Sequence, residues 1–139
     1  MHPPDHGFFA ILGHPVSHSL SPFLHGKAFA LLDLPYRYTA IDVSAEGLSA
    51  KIADIVKEGC LGFNVTLPHK EAVIPLLAEL DPTAKSIGAV NTVVVRERRL
   101  VGFNTDVDGV IQSLAPHAAR IERNDCLMLG AGGAARSAA

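Results

Sequence analysis

The stretch from Cys60 to Lys70 reads CLGFNVTLPHK. Its first six residues predict a buried β-strand, and the polar residues after it predict a loop that leads into a helix after Pro68. A strand that runs through a polar loop into a helix is the building unit of α/β proteins. The stretch therefore favours an α/β fold, and it places Asn64, Thr66 and Lys70 at the exit of a strand.

The same alternation continues on both sides of this stretch. An apolar run from Phe8 to Leu12, ended by Gly13 and Pro15, predicts another buried strand. The spacing of apolar residues further predicts helices over 21–32, 44–58, 68–80 and 106–114, a strand over 36–42 and a hairpin over 90–103. We expect Pro75 to kink the third helix or to delay its start. The pattern predicts a three-layer α/β/α domain with a mainly parallel sheet.

The first helix carries a start signal and an apolar face. Ser21 is a candidate N-cap because its hydroxyl can accept a free backbone N–H, and Pro22 suits the first helical position. Four apolar residues then share one side of the helix, which we expect to pack against the sheet: Leu24, Ala28, Leu31 and Leu32.

The last part of the sequence predicts the beginning of a second unit. Residues 125–129 form an apolar strand pattern that runs into Gly130-Ala131-Gly132-Gly133, and the sequence stops nine residues after Gly130. We therefore expect residues 1–115 to form a complete domain. Residues 116–139 would be a linker and the truncated start of a Rossmann domain, which needs several more strands and helices.

Composition excludes several classes of protein. The 139 residues are 48% hydrophobic and 19% charged, with a net charge of −2. Such a chain is too apolar to be disordered, has no basic footprint for nucleic acid, and has no run of the ~18 apolar residues that a membrane span needs. Cys60 and Cys126 lie in apolar runs without metal or redox spacing, and residues 1–6 lack a secretion signal. We expect a cytoplasmic protein with reduced core cysteines.

Two charged residues follow predicted strands. A lysine at the position of Lys70 can donate to, or exchange a proton with, a substrate oxygen, although a solvated lysine in the first turn of a helix is an equally good interpretation. Asp106 follows the strand that ends near Phe103, and a carboxylate there also simply favours the start of a helix, with Thr105 as a candidate N-cap. An ammonium and a carboxylate that converged from two strand ends would hold a substrate hydroxyl between them.

Hydroxyl and amide side chains complete the set of candidates. Ser17, Ser19 and Ser21 surround the first helix start, where free N–H groups favour a carboxylate, and capping by Ser21 is the alternative. Asn91 begins an apolar strand, and its alternative role is a turn amide that bonds the local backbone.

Three histidines, His14, His18 and His25, do not make a metal site because no fourth ligand or known ligand spacing accompanies them. No catalytic Ser/His/Asp arrangement is evident either, since the nucleophile motif G-x-S-x-G is lacking. The run GAGGAA from Gly130 to Ala135 fits G-x-G-x-x-A after a buried strand, which is typical of a turn that binds a dinucleotide pyrophosphate. The residue that separates NAD from NADP lies beyond the sequence.

Taken together and in order, these segments resemble the shikimate dehydrogenase family, over nearly the whole sequence. The resemblance rests on five blocks: Gly13–Pro22 (GHPVSHSLSP), Asn64–Lys70 (NVTLPHK), Gly88–Thr92 (GAVNT), Asn104–Asp106 (NTD) and Gly130–Ala134 (GAGGA). It implies an N-terminal substrate domain and a Rossmann domain that binds NADP. The implied reaction is reversible hydride transfer between shikimate and 3-dehydroshikimate in aromatic amino-acid (chorismate) biosynthesis.

The resemblance also implies a role for each matching residue. Lys70 and Asp106 match the catalytic pair. The substrate contacts are Ser19, Ser21, Thr66 and Asn91, and the cofactor turn consists of Gly130, Ala131, Gly132, Gly133 and Ala134. Two alternatives remain open: a shikimate-binding module without redox activity of its own, and a quinate/shikimate dehydrogenase of broader specificity. Monomer and homodimer are both compatible with the sequence, and neither nucleic acid nor membrane is an expected partner.

Overall fold

The structure is a computed structural model that describes residues 7–122, 124–125 and 127–138. Six strands in this part of the chain form one sheet in the order β2-β1-β3-β5-β6-β4. They are β1 (Phe8–Gly13), β2 (Arg37–Asp42), β3 (Cys60–Val65), β4 (Glu79–Leu80), β5 (Thr92–Arg96) and β6 (Arg99–Phe103).

The helices connect these strands. They are α1 (Ser21–Leu31), α2 (Leu48–Lys57), α3 (His69–Ala72), α4 (Pro82–Ile87), α5 (Asp106–Leu114), α6 (Ala118–Ile121) and α7 (Gly133–Ala138), with 3-10 turns at Ile74–Leu76 and Ala115–His117. None of the helices in the described ranges is long and apolar enough to span a membrane.

The sheet is layered as the sequence predicts, because β1 carries apolar residues on both faces. Phe8 on one face belongs to the same buried cluster as Ile52 of α2. Phe9 on the other face packs against Phe29 of α1, with ring centroids 5.5 Å apart. Successive residues of a strand point to opposite faces, so the two helices lie on opposite sides of the sheet. The three-layer α/β/α prediction is confirmed.

The pairing of the strands is mixed. Among the described strands, β1 is parallel to both β2 and β3, and β4 is parallel to β6, whereas the β3–β5 and β5–β6 pairs are antiparallel. The predicted hairpin is therefore present as β5 and β6. Its turn brings Glu97 and Arg98 to φ values of +49° and +63°. Parallel pairs outnumber antiparallel ones, as expected, because helices cross over between β1, β2 and β3.

The predicted helix over 68–80 is wrong beyond its first turn. The α-helix ends at Ala72, a 3-10 turn contains Pro75, and Leu80 belongs to β4. Proline has no N–H to donate, so it cannot continue the helical hydrogen bonds from the preceding turn. The short helix α4 was missed, although Asp81 caps it by accepting from the Thr83 N–H at 2.9 Å and Gly88 ends it at a φ of +68°.

The apolar face expected for α1 is also wrong. Leu24 is 60% exposed and Leu31 is 86% exposed, whereas His25 and Phe29 face the sheet. Both pairs of residues have helical spacing, so periodicity alone does not choose between them. The aromatic residues of β1 and the strand region at 36–38 make the difference, since Phe29 contacts Phe9 and Tyr36 at centroid distances of 5.5 and 5.8 Å.

The predicted strand at 125–129 does not form in the residues that the structure describes there, which are 125 and 127–129. Leu127 and Leu129 are exposed. A strand requires a partner for its backbone N–H and C=O groups, and no described strand pairs with this segment. The glycine turn after it does lead into a helix, α7. Cys126 and residues 1–6 lie outside the described residues, so the expectations about them remain predictions.

Candidate functional site

The polar side chains predicted from the strand exits meet at one edge of the sheet. β1 and β3 are parallel and both end there, β6 ends there, and the antiparallel β5 begins there, because Thr92 pairs with Phe103 and with Asn64. The serine loop after β1, the segment after β3, Asn91 before β5 and Asp106 after β6 therefore share this edge. Ligands of open α/β sheets bind in this position.

Lys70 and Asp106 form an ion pair at the centre of the edge. The Lys70 Nζ donates to Asp106 Oδ2 across 36 positions of sequence, and the two side chains are 14% and 31% exposed. Lys70 is thus not the solvated lysine of the alternative interpretation. Each group keeps capacity for a ligand, because an ammonium has three N–H donors and a carboxylate has two oxygens.

Asn91 holds the carboxylate of this pair from the other side. Its Nδ2 donates to Asp106 Oδ1 at 2.7 Å and to the Thr105 hydroxyl at 2.9 Å, and its Oδ1 accepts from the Thr105 N–H at 3.0 Å. The side chain is only 8% exposed. These bonds span 14 and 15 positions of sequence, so Asn91 is not the local turn amide of the alternative interpretation.

The start of α5 differs from the capping prediction. Thr105 occupies the N-cap position, but its side chain makes no capping hydrogen bond. Instead, Asn104 Oδ1 accepts from the Asp106 N–H at 3.0 Å. Asn104 is buried, and its Nδ2 donates to the Ala89 carbonyl at 3.0 Å. The sequence reasoning did not assign Asn104 to the site, although the residue stands beside Asp106 in a polar run that leaves a strand.

Tyr38 and Asn64 extend the network toward the serine loop. The Tyr38 hydroxyl donates to Asn64 Oδ1 at 2.6 Å, and Asn64 Nδ2 donates to the Thr92 hydroxyl at 3.0 Å and to the Asn91 carbonyl at 3.2 Å. Burial raises the pKa of Tyr38 to about 12, so the phenol keeps its proton. Sequence reasoning placed Asn64 at the strand exit but missed Tyr38, which looks like an ordinary strand residue.

The serine loop lies at the other end of the network. Ser19 Oγ accepts from the Ser21 N–H at 3.2 Å. The predicted N-cap is therefore displaced: Leu20 has the N-cap position, and Ser21 is the first helical residue. The reason is that the Ser19 hydroxyl already serves the N–H at the helix start. The Ser21 hydroxyl is left to contact the Tyr38 phenol, which links it to Asn64.

Asp42 fixes the first part of the serine loop. Its carboxylate bonds His14 Nδ1 at 2.6 Å and accepts from the Val16 N–H at 3.0 Å. The hydrogen bond from His14, together with that from Val16, holds the pKa of Asp42 below its usual range. The loop therefore leaves β1 in a defined direction, although its serines remain partly accessible.

Thr66 lies between the serine loop and Lys70. A Cβ added to Gly13 would stand 2.5 Å from the Thr66 methyl group, so only glycine fits where the ends of β1 and β3 approach each other. The Thr66 N–H donates to the Leu12 carbonyl at 2.9 Å, which continues the β1–β3 pairing by one residue. The structure thus brings all six residues predicted for catalysis and substrate contact to the same edge.

An open cleft adjoins the ion pair. Its volume is about 590 Å³, and its lining includes Lys70, Thr105, Asp106, Gly109 and Ala134. The two charged groups therefore lie beside free space of the size that a small ligand needs. In chemical terms, the ammonium can donate to an oxygen while the carboxylate accepts from a neighbouring hydroxyl.

The glycine run reaches this cleft from the opposite side. Gly130 has a φ of +115°, which favours glycine, and a Cβ on Gly130 or Gly132 would meet open space. Gly133 packs so closely that a Cβ there would stand 2.9 Å from that of Ala89 and 3.5 Å from that of Lys70. The Ser137 hydroxyl, four residues into α7, is 3.0 Å from Asn104 Nδ2.

Two of the three histidines and the described cysteine take structural positions. His25 stacks on Tyr38 with ring centroids 4.3 Å apart, and His14 pairs with Asp42. Within the described ranges, no group of three or more His, Cys, Asp and Glu side chains is arranged to hold a metal ion. Cys60 is buried, and its burial raises the pKa of the thiol to about 11, which agrees with the predicted core position.

Several known proteins are similar to this chain in sequence. The family model described as shikimate dehydrogenase substrate binding domain matches residues 11–93. A shikimate dehydrogenase (NADP(+)) from Symbiobacterium thermophilum is 50% identical over 129 residues, which cover 93% of this chain and 44% of that protein. A second relative with the same name, from Moorella thermoacetica, is 48% identical over 133 residues, or 96% of this chain and 45% of that protein.

A solved structure has the same fold. The shikimate 5-dehydrogenase from Thermus thermophilus, in complex with NADP(H) and shikimate, superimposes with a TM-score of 0.82 at 46% identity, covering 94% of this chain and 49% of that one. The chain thus spans less than half the length of each of these three relatives. Because the family model covers more than half of the chain, the chain belongs to the family of shikimate dehydrogenase substrate-binding domains.

Proposed function

We propose that the chain is the substrate-binding part of an NADP-dependent oxidoreductase that interconverts shikimate and 3-dehydroshikimate. The observation that carries this proposal is the Lys70–Asp106 pair, which lies beside an open cleft at the ligand-binding edge of the sheet. Relatives that are 50% and 48% identical in sequence bear the name shikimate dehydrogenase, which supports the choice of substrate.

In this proposal, Lys70 acts on the oxygen that becomes the carbonyl. Its ammonium donates a proton to that oxygen when the ketone is reduced, and its neutral amine receives the hydroxyl proton when the alcohol is oxidised. Asp106 accepts from a neighbouring hydroxyl and keeps Lys70 in place, while Asn91 fixes the second carboxylate oxygen. Positioned acid–base groups contribute about 10²–10⁴ to a rate.

The other predicted contacts suit the remaining groups of the substrate. Ser19 and Ser21 lie at the start of α1, where hydroxyl groups and backbone N–H groups favour a carboxylate. Thr66, which continues the β1–β3 pairing beside this loop, would contact a ring hydroxyl. The small acid would then extend from the serine loop to the ion pair.

NADP is the cofactor in this proposal. The residues from Gly130 to Ala134 fit a phosphate turn, since Gly130 has the positive φ that a tight turn requires and the open space before Gly130 and Gly132 permits close approach of a ligand. When bound, the nicotinamide would supply the hydride chemistry. The chain's own contribution is to present the turn beside Lys70, through the contact of Gly133 with Ala89.

The finer assignments belong to the same proposal. Residues 1–115 would form the substrate domain and residues 116–139 the linker and start of the cofactor domain. A cytoplasmic location, the monomer or homodimer state, and the lack of nucleic-acid and membrane partners stay predictions. A shikimate-binding module without redox activity and a dehydrogenase that also accepts quinate are the competing functions.

The test combines binding with turnover. Isothermal titration of the chain with shikimate measures binding, and absorbance at 340 nm after addition of NADP⁺ measures turnover. A chimera in which this chain replaces the matching part of the Symbiobacterium relative supplies a complete cofactor domain. We expect Lys70→Met in the chimera to lower kcat by about 10²–10⁴ with a smaller change in KM.

Four results distinguish the competing functions. Binding of shikimate by the chain with no turnover by the chimera favours the binding module. Comparable turnover of quinate favours the broader dehydrogenase. A Lys70→Met chimera that loses only affinity contradicts the acid–base role of Lys70. Failure of the chain and of the chimera to bind shikimate overturns the proposal as a whole.

A further inference from the structure

We infer that His69 is the positioning residue for Lys70, acting through a hydrogen bond between its imidazole and the backbone at the end of β2. The inference rests on the proposed function only for its kinetic consequence. The contact between Lys70 and Asp106, on which His69 would act, is present in the structure whatever the substrate is.

His69 is a buried residue whose imidazole bonds the backbone. The side chain is 0% exposed, and its Nε2 lies 2.7 Å from the Val43 carbonyl oxygen. The Val43 N–H in turn donates to the Gly13 carbonyl at 3.1 Å. Val43 is therefore bonded both to the end of β1 and to the imidazole, so the His69 side chain joins α3 to the ends of β1 and β2.

The hydrogen bond fixes the donor of the imidazole ring. A carbonyl oxygen only accepts, so Nε2 carries a hydrogen and donates it to Val43. Nδ1 is buried and has no hydrogen-bond partner among the described residues. A buried polar nitrogen without a partner destabilises a fold, whereas a phenylalanine ring of similar size would carry no such cost. What the imidazole contributes here is therefore the bond from Nε2.

The helix that carries Lys70 is too short to hold its own orientation. α3 has four residues, and a single helical turn is unstable in isolation. Two backbone bonds hold it from other sides: the His69 N–H donates to the Thr66 carbonyl, and the Lys70 carbonyl accepts from the Val90 N–H, both at 2.8 Å. The His69 side chain adds the third point, which prevents rotation of the turn.

Rotation of this turn would move Lys70 away from its partner. Lys70 directly follows His69, and its Nζ reaches Asp106 from a backbone that the Val43 and Val90 contacts define. A displacement of about 1 Å at a reacting group can lower a rate about 100-fold without removing any catalytic atom. Because the His69 side chain is directed to Val43 rather than to Asp106, its effect on the reaction would pass through Lys70.

Two substitutions separate positioning from packing. His69→Phe keeps the ring volume and removes the donor, whereas His69→Gln keeps an N–H donor at about the reach of Nε2. In the chimera described above, we expect His69→Phe to lower kcat about 10- to 100-fold with the shikimate KM changed less than about threefold. We expect His69→Gln to recover most of the lost kcat.

A second measurement on the chain itself does not require turnover. The ¹⁵N resonance of the Lys70 ammonium, recorded by NMR, reports its contact with Asp106. We expect His69→Phe to shift this resonance toward that of a free lysine side chain and His69→Gln to leave it near the original position. Where His69→Phe does not fold, His69→Asn, whose shorter amide does not reach Val43, takes its place.

The outcomes distinguish this inference from the proposed function. An unchanged Lys70 resonance in the folded Phe or Asn variant overturns the positioning role. Equal losses of kcat in the Gln and Phe variants, in proportion to their losses of stability, also overturn it. A shifted resonance in a chimera that never turns over shikimate supports the positioning role while the proposed function fails.

Discussion

The two ends of the candidate site are built differently. At one end, Lys70, Asn91 and Asp106 are bonded to one another, and Asn91 is almost fully buried. At the other end, Ser19 and Ser21 are partly exposed, and the hydrogen bond from the Ser21 N–H to Ser19 Oγ serves the start of α1. The acid–base end is therefore held by the protein, whereas the hydroxyls of the serine end have free capacity for a ligand.

This difference indicates which end of the site contributes to the stability of the fold. A buried polar network is stable only when its members are paired, so the acid–base end belongs to the folding unit as well as to the site. An exposed loop contributes little to stability and can be optimised for binding. We therefore expect substitutions at the acid–base end to affect both stability and function, and substitutions at the serine end to affect mainly affinity.

The largest effect on stability is expected from Asn91→Leu. This change leaves Asp106 Oδ1 and the Thr105 N–H without the amide that bonds them. Because the Asn91 side chain makes three of these hydrogen bonds and each contributes about 0.5–1.5 kcal/mol net, we expect the free energy of unfolding to fall by about 2–4 kcal/mol. Urea denaturation followed by circular dichroism measures this value.

Thr105→Val serves as the matched control for Asn91→Leu. It removes the hydroxyl that Asn91 Nδ2 bonds at 2.9 Å and leaves the Asp106 contact intact. We expect a loss of about 1 kcal/mol, the net value of one hydrogen bond. If Asn91→Leu cost no more than Thr105→Val, the acid–base end would not be part of the folding unit, and the contrast between the two ends would fail.

A smaller effect on stability, with a clear effect on affinity, is expected from Ser19→Ala. The free energy of unfolding should change by less than about 1 kcal/mol, since one partly exposed hydroxyl at a helix start is lost. A hydrogen bond to a charged group is worth about 1.5–3 kcal/mol, so the shikimate Kd should rise about 10-fold or more. Isothermal titration measures it.

Ser17→Ala is the control in the same loop, because Ser17 is exposed and two residues away from Ser19. We expect it to change neither stability nor the Kd beyond experimental error. Equal losses of affinity in the two variants would mean that the loop as a whole, rather than the Ser19 hydroxyl, determines the binding of the carboxylate.

Local pattern was enough to predict the strand exits and therefore where the candidate site lies. Buried strands such as β1 and β3 are continuous apolar runs, and the polar residue that follows each run marks the edge of the sheet. The convergence of Lys70 with Asp106 follows from this placement, because the ends of β3 and β6 lie at the same edge. The resemblance of five sequence blocks to one family then implied a catalytic or binding role for each of these residues.

What the sequence did not predict depends on partners far away in the chain. The face of α1 that packs on the sheet is determined by Phe9 and Tyr36, and no described strand pairs with the segment at 127–129. Asn104 is held in place by a hydrogen bond from its Nδ2 to the Ala89 carbonyl at 3.0 Å, which joins residues 15 positions apart. Periodicity and capping signals describe neighbours within a few positions, so they do not contain these contacts.

The smallest effect is expected from Asp42→Asn. The pH dependence of stability in this variant tests whether the Asp42 carboxylate holds the serine loop in place. Hydrogen bonds from His14 and Val16 hold the pKa of Asp42 below its usual value of 3.8 in the folded protein. A carboxyl whose pKa is lowered by folding contributes stability above the unfolded value. That contribution is lost as the pH falls below 3.8 and through the folded pKa.

We therefore expect the native chain to lose stability more steeply than the Asp42→Asn variant as the pH falls below about 4. Thermal unfolding between about pH 6 and about pH 2.5 measures both slopes, and Asp54→Asn, on the exposed part of α2, is the matched control. Because Asp42 is itself half-exposed, the difference should be small and should decrease in high salt. Identical slopes for all three proteins would show that the His14–Asp42 pair does not support the serine loop, so that this loop owes its position to the β1–β3 approach at Gly13 alone.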